Sequence, residues 1–245
     1  MLIEILFELI VMQLFYWIGS LSVFNKLNAE KKKILSDNIS FYNKLSKVDK
    51  RKFEYRITRF VNKHEFIGRE GLQITPFVEM MVSAAPIMLT FHLQNYLFKH
   101  FKTILIYPKN FLSRQTNQMH KGETNPGMEA VVLSFESLLK GITIEDDNLH
   151  LGIHEFSHAL YFSYVKQTTV EAIRFKSTVK KMFKLISKPN QKQKLLAANY
   201  VREYGYENKH EFLAVITENY FETPKEFKQK LPKLFKLVNK LYKIY

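Results

Sequence analysis

Gly152-Ile153-His154-Glu155-Phe156-Ser157-His158-Ala159-Leu160 is the stretch that decides how this sequence folds and what it can do. The tripeptide His-Glu-Phe occurs at His64, His154 and His210, but only His154 has a second histidine four residues on. Placed on a helix, His154 and His158 stack on one face, so both imidazoles can reach one ion at ~2.0–2.1 Å. Glu155 points to the side, where a carboxylate can reach a water in the ion's open position and act as general base. Ile153, Phe156, Ala159 and Leu160 are apolar, so the helix is expected to be buried. Chance alone places His-Glu-x-x-His in about 2 of 100 chains of this composition, so the motif needs support from elsewhere.

A catalytic zinc site takes three protein ligands and leaves one position open. No third histidine follows His158 closely, which points to a carboxylate on a later helix. Glu-Asn-Lys-His-Glu-Phe-Leu-Ala-Val-Ile-Thr-Glu, residues 207–218, offers Glu211 and Glu218, two turns apart on one face. One can bind the metal while the other orients a ligand histidine. His210, turned about 100° from Glu211 on an ideal helix, is a poor ligand candidate. Two imidazoles and a carboxylate suit zinc, although cobalt or manganese would also be accepted.

Bulk composition sets the frame. The 245 residues are 46% hydrophobic, with 21 Phe and 13 Tyr, ample for a packed core. There is no cysteine, which excludes disulfides and any thiolate ligand or nucleophile. The formal net charge is +14, yet no arginine-rich arm or aromatic RNA-binding signature accompanies it, so nucleic acid is not expected as a partner.

Along the chain, residues 1–25 form an apolar segment in which positions 9–25 are uncharged, the lower length for a membrane-spanning helix. Lys26, Lys31, Lys32 and Lys33 follow it. The expectation is a membrane anchor holding a cytoplasmic domain on the inner face of the cytoplasmic membrane. Residues 26–50 read as a basic helical connector, and 51–245 as the catalytic domain. Within the latter, Thr75-Pro76 reads as a helix start, and Pro86 as a kink or interruption of the apolar run that follows. TILIYP (103–108) and AVVLSF (130–135) read as strands, with an exposed polar loop containing His120 between them. The carboxyl-terminal run KEFKQKLPKLFKLVNKLYKIY reads as one amphipathic helix with a solvated lysine face. The fold class is α+β, mostly helical, with a small sheet.

Three blocks in order resemble the MtfA-like zinc peptidases, a gluzincin-type family related to the metalloprotease domain of anthrax lethal factor. They are GLQITPFVEMMVSAAP with ILIYPKNF, VVLSFESLLKG leading into HEFSHAL, and EYGYENKHEFLAVITENYFETP with the helical tail. The resemblance covers residues 50–245 and implies a zincin-like domain with His154, His158 and Glu211 as zinc ligands and Glu155 as base. It further implies that Glu218 supports a ligand and that Tyr204 steadies the developing oxyanion. The family usually has an aspartate three residues after the second histidine; Tyr161 stands there in this sequence. Peptide or protein substrates are implied, with AVVLSF as the strand beside an extended substrate. An aminopeptidase would need a carboxylate for the substrate's α-amino group, for which Glu207, Glu218 and Glu222 are candidates. The alternative is a regulatory binding protein of the same fold that sequesters a partner such as a transcription regulator without catalysis.

Overall fold

The described residues of the computed structural model are 27–244; the apolar segment expected as an anchor lies outside them. Three helices come first: α1 (Ala29–Asn38), α2 (Ser40–Asn43) and α3 (Lys47–Lys63). The side chains of Asn28 and Ser46 start the first and third by accepting from the amides of Lys31 and Asp49, which satisfies donors that a helix start leaves without a partner. Phe53, Ile57 and Phe60 form the buried stripe of α3. The stretch expected as a connector puts Leu35, Ile39 and Tyr42 into the same core.

β1 (Glu65–Gly68) follows, and then α4 (Pro76–Leu89), capped by the Thr75 side chain with Pro76 in its first turn. Pro86 does not interrupt α4. It sits in the last turn, where its carbonyl accepts from both the amide and the hydroxyl of Thr90.

β2 (Thr103–Tyr107) leads through a two-stranded ribbon, β3 (Phe111–Leu112) and β4 (Met119–His120), to β5 (Gly122–Asn125) and β6 (Ala130–Ser134). The main sheet has the order β1-β2-β6-β5. β1, β2 and β6 are parallel, and β5 runs antiparallel to β6. The two expected strands are therefore neighbours, with Ile104 beside Val131. AVVLSF, however, is not a strand that substrate can pair with. β6 is buried and hydrogen-bonded on both sides, so it has no vacant edge. The sheet ends at β5, inside the stretch expected as a polar loop; its sequence Gly-Glu-Thr-Asn lacks the β-branched and aromatic alternation that marks a strand.

The remaining elements are helical: α5 (Phe135–Thr143), α6 (Leu151–Val165), α7 (Val170–Ile186), α8 (Pro189–Ala197), a 3-10 turn at Glu203–Tyr206, α9 (Lys209–Glu222), α10 (Pro224–Lys230) and α11 (Pro232–Tyr242). The single tail helix expected from the sequence is two, because Pro232 has no amide proton to continue α10 and instead opens α11. The result is a mostly helical α+β fold, as expected. α6 is its central helix, packed by α4, α7, α9, β5 and β6. No helix among the described residues is long and apolar enough to cross a membrane.

Phe156, on α6 between the two histidines, is fully buried, with its ring centroid 5.9 Å from Phe60 and 5.4 Å from Phe98. Removing an aromatic ring from such a site costs about 3–5 kcal/mol. Urea unfolding followed by circular dichroism should show Phe156→Ala less stable by that amount; a change below about 1 kcal/mol would mean that this contact does not anchor the helix.

Candidate metal centre

α6 carries His154, Glu155 and His158, and α9 carries Glu211 and Glu218. The two helices pack directly. Three side chains bring metal-ligating atoms together between them. His154 Nε2 and His158 Nε2 are 3.2 Å apart, Glu211 Oε2 is 3.0 Å from His154 Nε2, and Glu211 Oε1 is 3.4 Å from His158 Nε2. Ligands bound tetrahedrally at ~2.0–2.1 Å stand about 3.3 Å from one another, so the spacing suits a common ion. Glu211 Oε2 is buried and, although near His154, is not aligned to accept a hydrogen bond from any described residue. Its charge is met by the His154 imidazole at 3.0 Å or by a cation that both groups share. His154, His158 and Glu211 form the group among the described residues that could hold a metal.

Behind the donors lies a second layer. His154 Nδ1 is 2.7 Å from Glu218 Oε1, and Glu218 is almost wholly buried. The same carboxylate accepts from the backbone amide of His150 at 2.8 Å and from both terminal nitrogens of Arg202, at 2.7 and 3.2 Å. Burial by itself lowers the His154 pKa, but Glu211 and Glu218 at its two nitrogens overcome this and raise it to about 10. Glu211 feels the converse: burial opposes its ionisation, and the two histidines hold its pKa well below the usual carboxylate range. His150 caps α6, its Nδ1 accepting from the amide of Ile153. Burial holds its pKa down at about 4, which keeps that nitrogen's lone pair available.

Glu155 is buried between α6 and the sheet edge. Thr124 of β5 donates to its Oε2 at 2.9 Å and to its backbone carbonyl at 2.9 Å. Gly122 stands against it, and a Cβ there would collide with the Glu155 carboxylate unless that side chain shifted. Burial pushes the Glu155 carboxyl upward, against the pull of His154 and His158. Tyr204, in the 3-10 turn, is 44% exposed, with its ring centroid 5.8 Å from that of His154. Burial, and then the nearby Glu211, raise its phenol above the usual value. Its half-open position beside the donors suits a hydroxyl that meets a ligand.

His210 does not join the donors; its ring packs on Tyr161 and Phe162. Tyr161, where an aspartate was expected by resemblance, thus fills a packing role. Of the carboxylates considered for an α-amino group, Glu218 is consumed by His154 and Arg202. Glu222 reaches back to the Leu149 amide, and Glu207 ends the 3-10 turn. Sequence reasoning missed Arg202, His150, Thr124 and Gly122. None lies in a motif of its own, and each acts across a gap of 16 to 68 residues that only the fold closes.

A family model described as glucose-regulated metallo-peptidase M90 matches residues 22–243. The chain belongs to this family. The MtfA-like resemblance is thereby borne out. The M90 match begins before α1 and ends at the close of α11, so it spans the helices ahead of β1 as well as the site. Among curated proteins, the uncharacterized protein slr2042 of Synechocystis sp. is 24% identical over 226 residues, which is 85% of this chain and 82% of that protein.

Two predictions follow from the second layer. Arg202→Met should weaken metal binding about 10–100-fold, measured by competition with a chromogenic chelator; unchanged affinity would show that Glu218 orients His154 unaided. Glu222 lies on the turn of α9 after Glu218, with Oε1 buried and without a partner among the described residues. Burial, then the charges of Glu218 and Asp147, raise its pKa from 4.5 to about 8. The folded chain therefore holds this proton more tightly than the unfolded chain, and the stabilisation is full below pH 4.5 and is lost as pH rises toward about 8. The stability of the wild type relative to Glu222→Gln should fall across that window in urea titrations; a flat difference would contradict the buried acid.

Proposed function

We propose that this M90 family member is a zinc-dependent peptidase that uses His154, His158 and Glu211 as metal ligands and Glu155 as general base. The observation that carries this reading is the mutual spacing of the donor atoms of His154, His158 and Glu211. Two neutral imidazole lone pairs cannot face each other at 3.2 Å without a shared cation or a proton between them. The donor set of two nitrogens and a carboxylate fits zinc. When bound, such an ion supplies Lewis acidity, stabilising charge on a carbonyl oxygen and making water acidic near neutral pH.

The chain's own residues do the rest. The α6–α9 contact fixes the two imidazoles and Glu211, and the Glu218 contact at His154 Nδ1 directs the proton there, leaving Nε2 as the donor. Glu155, held at one oxygen by Thr124, takes a proton from the attacking water and returns it to the leaving amine. Its burial raises its proton affinity above that of an exposed carboxylate, the direction that favours a base. Tyr204 keeps its proton at neutral pH and donates to the developing oxyanion. An extended peptide pairs with β5, which has a neighbouring strand on one side only and carries Thr124 against Glu155.

The test combines metal analysis with hydrolysis. Mass spectrometry of the full chain should find about one zinc per molecule, with Glu211→Ala losing most of it. Glu155→Gln should retain the metal and lose cleavage of a quenched peptide library by at least about a hundredfold. Full cleavage by Glu155→Gln would overturn the mechanism. Absence of metal even after zinc is offered would overturn the site and leave a binding role for the fold.

A further inference from the structure

The surplus positive charge is not spread evenly over the fold. Residues 174–194 carry eight basic residues and no acid, and residues 225–243 carry seven lysines and one acid, Glu226. That acid is spent on Lys230, one turn away at 2.8 Å. The first run is most of α7 with α8, and the second is α10 with α11; α7 and α11 pack against each other, so the two runs share one side of the molecule. Among the described residues, Lys230 is the one member of this set that forms an ion pair. A groove of about 310 Å³ joins the two runs, with Lys194, Lys230 and Lys233 around an apolar floor that includes Leu185, Leu195 and Leu231. Large apolar side chains on the same helices also face solvent, at Ile173 and Leu196.

We infer that this face seats the protein on an anionic phospholipid surface. The chemistry of the charge favours lipid over nucleic acid. All but Arg174 of these basic residues are lysines, compact charges on flexible stems that suit a diffuse layer of headgroups rather than forked recognition of single phosphates or bases. Among the described residues, no row of exposed aromatics offers the stacking platforms that single-stranded nucleic acid uses. Lysine stems on the helices that also expose Ile173 and Leu196 can lie along an apolar boundary while their ammonium groups stay in water. The inference does not depend on the metal site.

The experiment uses the full chain with every variant keeping residues 1–26, so the apolar segment contributes equally throughout. Vesicles of phosphatidylcholine with roughly one-third phosphatidylglycerol are compared with pure phosphatidylcholine by co-sedimentation. The wild type should prefer the anionic vesicles, with the preference shrinking as salt rises. A lysine at the membrane surface contributes about fivefold in partitioning, so replacing Lys184, Lys192, Lys194 and Lys233 by Gln should reduce the preference by at least about tenfold. Replacing Lys47, Lys63, Lys99 and Lys109, which are equally exposed and carry the same total charge, should change it by less than about threefold. Equal loss from both sets, or no anionic preference in the wild type, would overturn the inference by reducing it to net charge or nothing. So would tight binding of a DNA or RNA duplex that the α7–α11 set abolishes while vesicle binding persists.

Discussion

The buried carboxylate of Glu218 is the constraint on which the site depends. An ionised carboxylate taken from water costs several kcal/mol unless every lone pair is met. Glu218 meets that demand with the Nδ1 of His154, the amide of His150 and the guanidinium of Arg202. Each bond fixes a different part of the molecule: the orientation of the His154 imidazole, the start of α6, and the segment between α8 and the 3-10 turn. Loss of any one partner leaves charge buried without compensation, so the α6–α9 interface is specified far more tightly than its apolar contacts alone would require.

The other side of α6 is fixed by shape. Gly122 lets β5 lie against the Glu155 carboxylate where a Cβ would displace it, and Thr124 holds the carboxylate from the same strand. The sheet edge and Glu155 are thus one structural unit. That coupling sets the outer edge of β5, rather than the buried strand β6, beside Glu155.

Core packing and site geometry meet in α6. Phe156 points into the aromatic cluster of Phe60 and Phe98, while His154 and His158 point toward α9. The helix therefore cannot rotate to relieve the donors without disrupting the core. Charge follows a different logic: the lysine-rich helices α7, α8, α10 and α11 bury their apolar side and leave the ammonium groups to solvent, so net charge concentrates where the packing requirement is weakest.

The sequence by itself determined the elements whose signal is local. The four-residue spacing of His154 and His158 needs only a helix to place both on one face. The two-turn spacing of Glu211 and Glu218 likewise marks a shared face, and TILIYP and AVVLSF are apolar enough to announce strands without their partners. Tertiary structure decided everything that rests on a contact between distant segments. It made Gly-Glu-Thr-Asn an edge strand, which its residues do not encode, because its pairing partner β6 supplies the register. It drew Leu35, Ile39 and Tyr42 into the core, where a run of lysines had read as a connector. It divided the tail at Pro232 and brought Arg202 to Glu218, since an arginine in an irregular segment has no pattern until a buried carboxylate comes within reach. Periodicity reports which face a residue occupies; only packing reports what that face meets.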